Sequence, residues 1–497
     1  MNQIQNIAIT AISIASCLFL ISYIFGLLFY SQPAVPDENN ITNSGAEVGV
    51  AKTMKRLGDT QTIVEKELSK QVKVAKTKKR VGEQTKKELS NLEIKRHVTS
   101  YHGILPMRRA LEDDSDSDAT YLARQILMAH INLVDINVGK HASIRDDEYT
   151  GITAEFCALN FQAQKDNPPE LPMFRDVVGN SHCNKEDGHR VRVDLKEVVE
   201  LVREFDTDNV GGGQEDDAPT ILDLKGVVFH ESRCGSTLAA NSMMALNPEK
   251  HRVYSESSPP AMALRICGED YSMCTVEASA NLLKDVVYLM GRSDNPSEEN
   301  LFFKFQSATT RTMDTFRMAF PTTPWIFLYR EPIEVMMSQL DVPSISMANC
   351  VRSKNSSPSI KAYIAENEYD LDSLIDEEFC AIHLATLCET AFRNLDDADG
   401  LGMAVKYSPG LVNDFLDTIF PIHFHVSVNT AGRDRVLKIS GTYSKNRGRH
   451  KEGGFKPDSE EKEKKATSKI KKAAEDFLMP SFKQLEGFRG GDDDVYE

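Results

Sequence analysis

Basic charge is scarce at the start of this chain and in deficit over the chain as a whole. No lysine or arginine precedes Lys52, and the 24 residues 7–30, IAITAISIASCLFLISYIFGLLFY, carry no charge at all. That run is long enough to cross a bilayer as a helix. A cleaved signal peptide has a shorter apolar region behind a charged tail, so an uncleaved single-helix membrane anchor over residues 1–30 is expected. The missing cations leave the positive-inside rule almost silent about its orientation. Over the whole chain 58 Lys and Arg face 74 Asp and Glu, and the net charge of -16 argues against nucleic acid as a partner. It also disfavours a polyanionic acceptor unless a local basic cleft overrides it.

Two signatures of phosphate chemistry are also missing. The Gly-Lys-Ser/Thr ending of a Walker A loop is absent from residues 226–238, GVVFHESRCGSTL. A phosphatase nucleophile at Cys234 would need an arginine where Ala240 stands, and the other His-Cys pair, His182 and Cys183, meets Arg190 one position late.

What the 226–238 segment does contain is a short β-prone run, Val227 to Phe229, followed by a loop and then LAANSMMAL, which reads as a helix. A buried strand feeding a helix N-terminus points backbone N–H groups into the loop between them. Gly235 permits close approach, Ser236 and Thr237 offer hydroxyls, and Arg233 supplies a fixed positive charge. Together they make an anion cradle. Residues 325–340, WIFLYREPIEVMMSQL, repeat the grammar: a strand ending at Tyr329, Arg330 at its carboxyl end, Pro332 suited to a first helical turn, and Ser338 two turns on. Ligands of open α/β sheets gather outside the carboxyl ends of strands, so Arg233 and Arg330 should face one crevice. Without Arg233, Arg330 reads better as a strand-end arginine salt-bridged to Glu334.

Together the two segments resemble the cofactor motifs of the sulfotransferases that use 3′-phosphoadenosine 5′-phosphosulfate (PAPS). The family's Arg-Ser-Gly-(Ser/Thr)-(Ser/Thr) loop, which grips the 5′-phosphosulfate, is matched by Arg233, Cys234, Gly235, Ser236 and Thr237. Its second motif, an arginine and a serine eight residues later on the 3′-phosphate, is matched by Arg330 and Ser338, with Glu331 in place of the usual Asp. The resemblance covers roughly residues 226–487. It implies an α/β fold with a P-loop-NTPase-like parallel sheet flanked by helices, PAPS as co-substrate without a metal, and a hydroxyl acceptor, on a carbohydrate. Residues 301–305 (LFFKF), a long amphipathic helix over 371–395, and AVKYSPGL fit the later part of such a domain.

Sulfuryl transfer needs a base for the acceptor hydroxyl and positive charge for the departing phosphate. In carbohydrate-type relatives the base is an acidic residue after the second strand, and HRVYSESSPP offers Glu256 there, with His230 as its rival. A surface carboxylate in a polar turn is the bland reading of Glu256, and a satisfied strand-end residue that of His230. The basic, Gly-rich segment 443–457 resembles a loop that closes over the cofactor in many members and nominates Arg447, or Arg449, for a phosphate; a solvated basic turn is its plain reading. His423 and His425 would share one face of a strand, but with no third ligand the metal reading is rejected. The first alternative is a nucleotide-dependent kinase, which the missing Walker lysine disfavours; the second is a non-catalytic Golgi membrane scaffold.

The family habit of luminal catalytic domains, with a six-residue N-terminal tail, implies a type II Golgi membrane protein whose sequons at Asn40 and Asn355 would be luminal. Outside the span eight of the nine cysteines remain, Cys267 with Cys274 being the most local pair, and a free Cys234 would leave at least one more unpaired. Residues 31–98 read as linker and helical stem. Lys-Glu-Leu-Ser recurs 21 residues apart, at 66 and 87, a weak coiled-coil signal through which the chain would form homo-oligomers. Residues 99–225 read as an N-terminal subdomain without assignable chemistry, a lid or acceptor-binding unit, with a helix over 120–135 and another over 193–204. GGGQEDDAPT marks the boundary before a 226–490 catalytic domain, which carries a charged helix over 459–478, and residues 491–497 form an acidic tail.

Overall fold

A computed structural model describes residues 90–113, 117–145, 148–211, 218–354, 356–396, 400–441 and 459–490. The expected anchor, most of the stem, both sequons, Arg447 and the acidic tail lie outside the described residues. Among those described, no helix is long and apolar enough to cross a membrane.

The first half supplies β1 (Ile104–Leu105), β2 (Asn132–Arg145), β3 (Glu148–Cys157) and β4 (Val191–Asp194), which form a mixed sheet in the order β1-β4-β3-β2. The second half supplies β5 (Thr220–Ile221), β6 (Asp223–His230), β7 (His251–Ser255), β8 (Arg292–Ser293), β9 (Asn300–Lys304), β10 (Trp325–Tyr329) and β11 (Gly402–Lys406). Five of these make an all-parallel sheet in the order β11-β10-β6-β9-β7, and β5 pairs with β8. The protein is therefore α/β, with a parallel sheet between helices.

The strands of that sheet are apolar in succession because both of its faces are covered. Alternate side chains separate cleanly. Val228, Phe302, Ile326, Leu328 and Val405 pack with the helices Ser236–Leu246 and Thr430–Ser440. Val227, Phe229, Phe303, Trp325, Phe327 and Tyr329 face the opposite core, which includes the long helix Asp376–Asp396. That core continues without a break from Ile94 to Leu485, so β2, β3 and β4 share it with the parallel sheet.

A second bond between the halves is ionic. Arg252 of β7 donates to Glu298 and to Ser293, and Lys165 pairs with the same carboxylate, all three charged side chains being nearly fully buried. Burial raises the Glu298 carboxyl, but Arg252 and Lys165 outweigh it and hold the group at about 2. Three disulfides, Cys157–Cys183, Cys267–Cys274 and Cys350–Cys380, staple the fold. Cys267 does pair with its local partner, and the described cysteines outside disulfides are Cys234 and Cys388, both buried.

Two local expectations are corrected. The helix expected over 120–135 ends at Leu127, where Ala129 takes a positive φ of 55°, and residues from 132 onward enter β2. PIHFHV is not a strand. Phe415, Leu416, Ile419 and Phe420 are buried at helical spacing, so the chain coils through His423 in a π-type helix, and His425 then turns at φ 53°. His423 hydrogen-bonds the Trp325 carbonyl at 3.0 Å.

Candidate functional site

β6 and β10 are neighbours in register, with His230 opposite Leu328. From β6 the chain leaves toward β9 and β7, whereas from β10 it leaves toward β11, so the crevice between their carboxyl ends is a topological switch point. The strands lie only ~4.8 Å apart. Residues 231–235 and 330–331 meet there.

The loop after β6 is held in backbone conformations that L-residues seldom adopt. Ser232 (φ 70°), Arg233 (φ 59°) and Gly235 (φ 88°) are left-handed, and such residues persist only where the surroundings enforce them. At Gly235 the enforcement is visible, since a Cβ would lie 2.5 Å from Cδ2 of Tyr407. Ser236 and Thr237 are the first two residues of the helix Ser236–Leu246, so the N–H groups of its first turn open toward the loop. The far end of that helix is capped by Arg435, which donates to the Ala245 and Leu246 carbonyls.

Arg233 is half-buried, and its Nε–H has no hydrogen-bond acceptor among the described residues. A buried donor without a partner costs about 1–3 kcal/mol, so it is the part of this loop that an oxyanion would satisfy. Cys234 is turned the other way: its thiol donates to the Leu328 carbonyl at 3.1 Å and is fully buried. It gives the loop its backbone rather than its sulfur.

At the end of β10, Arg330 is buried, its guanidinium lies 4.5 Å over the Tyr407 ring, and its Nε donates to Glu334 at 2.6 Å. The strand-end ion pair with Glu334 anticipated as the plain alternative for Arg330 is thus present. Ser338 is buried on the following helix, Pro332–Gln339, and accepts a hydrogen bond from Lys462 at 2.6 Å. Lys462, on the helix Ser459–Lys465, was not foreseen; a lysine in a charged helix carries no sequence mark of such a contact. Helix formation also breaks where Thr467 caps a new start, so the charged helix expected over 459–478 is interrupted.

Glu256 follows β7 with a φ of 55°. Its carboxylate pairs with the buried Lys304 at the end of β9, and it lies 3.7 Å from Arg175 and 4.0 Å from His230 Nε2. Burial raises the Glu256 carboxyl, but Lys304, with Arg175 behind it, more than reverses this and holds the group at about 2. It is ionised at neutral pH and, while Lys304 sits on it, weakly basic. His230 has both ring nitrogens engaged. Nδ1 accepts the Ser232 N–H at 2.9 Å, which leaves Nε2–H to donate to the Phe305 carbonyl at 3.0 Å. The ring shapes the loop and has no nitrogen to spare for a proton.

Lys304 and Arg175 are further residues that the sequence reading missed. Lys304 sits inside the LFFKF run, where one polar residue at the end of an apolar strand is a usable signal. Arg175 comes from the helix Phe174–Asn180 of the first half, and nothing local marks it. Among the described residues no cluster of His, Cys, Asp and Glu is arranged to hold a metal. No protein-family model, curated protein or solved structure matches the chain.

Proposed function

We propose that this chain is a sulfotransferase that moves a sulfuryl group from PAPS to a hydroxyl on a glycan, using a P-loop-NTPase-like sheet. The observation that carries this reading is the orphaned Arg233 Nε–H in a strained loop at the switch point, beside a second cationic strand end at Arg330. One nucleotide with a phosphate at each end accounts for both. Arg233 and the first-turn N–H groups of Ser236 and Thr237 hold the phosphosulfate end. Arg330, Ser338 and Lys462 hold the 3′-phosphate.

When bound, PAPS supplies an activated sulfuryl group with adenosine bisphosphate as its leaving group. Glu256 takes the acceptor proton as the new oxygen–sulfur bond forms and the bond to the bridging phosphate oxygen breaks. Lys304 leaves Glu256 to meet the charge growing on that oxygen. The same movement lifts the restraint on Glu256 and raises its basicity when the proton must be taken. Arg175 brings the first half of the chain to the acceptor side, which supports an acceptor-binding role for residues 99–225. Three disulfides among the described residues support an oxidising lumen, in keeping with a type II Golgi membrane protein anchored by residues 7–30.

The direct test is transfer of radiolabelled sulfuryl from PAPS to a panel of glycans by the full-length chain. Arg330→Ala should abolish it. If Glu256→Gln turns over normally while Arg330→Ala is dead, the base assignment is wrong and the sulfotransferase reading survives; no transfer by the unaltered chain to any acceptor counts against the reading itself.

A further inference from the structure

Between the two nucleotide-gripping segments lies a fully buried carboxyl that the mechanism above does not use. Glu231 is the first residue after β6, and it ties itself to the neighbouring strand end at several points. Its N–H donates to the Leu328 carbonyl at 3.2 Å, and its Oε1 accepts the backbone N–H of Arg330 at 2.5 Å. Its carbonyl accepts from Gln339 Nε2 at 3.5 Å, on the helix that carries Ser338. Its Oε2 accepts from the Cys388 thiol at 3.5 Å, on the helix Asp376–Asp396. Two positions from Arg233 on one side, and bonded directly to Arg330 on the other, this side chain sets the spacing between the two ends of the site.

Resting on the sulfotransferase reading, we propose that Glu231 is a positioning residue: its carboxyl holds Arg330 in register with the Arg233 loop, and a negative charge on it weakens the two-ended grip on the nucleotide. The groups that face it are few. Arg330 and Glu331 flank it from the β10 side, Cys388 faces it from the long helix, and His230 and Cys234 belong to its own strand and loop. Burial pushes the Glu231 carboxyl up to about 8, against the lowering effect of the Arg330 N–H, the Cys388 thiol and the Arg330 charge, while Glu331 adds to the rise. The group is therefore mostly protonated at pH 7 and mostly charged at pH 9. A carboxylate there sits beneath a polyanionic ligand, and by linkage whatever disfavours the charged form with ligand bound makes binding weaker as that form accumulates.

The test is calorimetric titration of 3′,5′-adenosine bisphosphate into the full-length chain at pH 7 and pH 9, with Glu231→Gln and Glu231→Leu alongside. Glutamine keeps an acceptor for Arg330 N–H and cannot ionise; leucine keeps volume and removes the acceptor. The unaltered chain should lose about tenfold in affinity across the two pH units, while Glu231→Gln changes by no more than about twofold. Glu231→Leu should bind about tenfold more weakly at pH 7, the loss expected for one buried hydrogen bond left unmade. A Glu231→Gln chain that tracks the unaltered pH slope overturns the proposal, as does a folded Glu231→Leu chain that binds normally; should the leucine variant not fold, the glutamine comparison decides alone. An unaltered chain that does not bind the bisphosphate at either pH overturns the sulfotransferase reading and this inference with it, whereas the variant results above strike this inference only.

Discussion

Replacing Lys304 with methionine isolates the pair on which the proposed chemistry is built. In the folded chain Glu256 is held at about 2 against an ordinary 4.5, with Lys304 the largest of the opposing charges. That difference of about 2.5 corresponds to about 3.5 kcal/mol at neutral pH, since a tenfold change in the protonation equilibrium is worth about 1.4 kcal/mol. The sign follows from the depressed value: the stabilisation is present above pH 4.5 and is lost as pH falls toward 2. Lys304→Met removes the cation and keeps most of the stem volume, leaving a carboxylate that is mostly buried with only His230 and the exposed Arg175 nearby. Breaking one side of such a pair costs about 3–5 kcal/mol in general, so a loss of about 3 kcal/mol in denaturant unfolding at pH 7 is expected. Without Lys304 the Glu256 carboxyl rises, so the penalty should shrink as pH is lowered and the acid is protonated. A loss below about 1 kcal/mol, or one that does not change between pH 7 and pH 4, would refute the argument that Lys304 holds Glu256 ionised.

Further outcomes follow from the same geometry. Arg233→Ala removes a donor that has no partner among the described residues, so it should raise stability by up to about 1–3 kcal/mol while eliminating the rise in melting temperature caused by adenosine bisphosphate. Gly235→Ala puts a methyl 2.5 Å from the Tyr407 ring on a left-handed backbone, and should cost about 1–3 kcal/mol in denaturant unfolding and weaken nucleotide binding in calorimetry. Cys234 and Cys388 are buried, so a thiol reagent followed by mass spectrometry should label neither in the native chain and both after unfolding; native labelling of Cys234 would mean that its sulfur faces the loop after all.

The parallel sheet was legible because its strands are continuous apolar runs bounded by loops, and the helix after Gly235 because its start coincides with a glycine that only a left-handed turn requires. Misreadings came where one stretch satisfies two periods. The run from Leu127 to Ile136 is apolar at both helical and strand spacings, and the turn at Ala129 decides between them. His423, Phe424, His425 and Val426 alternate like a strand, but the preceding Phe415, Leu416, Ile419 and Phe420 bury one helical stripe and carry the chain with them. The site divides along the same lines. Arg233, Gly235, Arg330 and Ser338 stand in local motifs, and the structure sets the two motifs at the ends of neighbouring strands. Lys462 reaches Ser338 across 124 positions, Cys388 reaches Glu231 across 157, and Lys304 reaches Glu256 across 48. Such contacts depend on strand order and helix packing, which periodicity does not encode.

The central claim is that the crevice between β6 and β10 takes one nucleotide with a phosphate at both ends. A thermal-shift titration of the full-length chain with 3′,5′-adenosine bisphosphate, ATP and AMP measures this directly, because a ligand that binds only the folded state stabilises it by mass action, by about 2.7 kcal/mol at a hundredfold excess over Kd. The account predicts a saturable rise in melting temperature with the bisphosphate that AMP does not match. Stabilisation by ATP alone, or no response to any of the three, would contradict it.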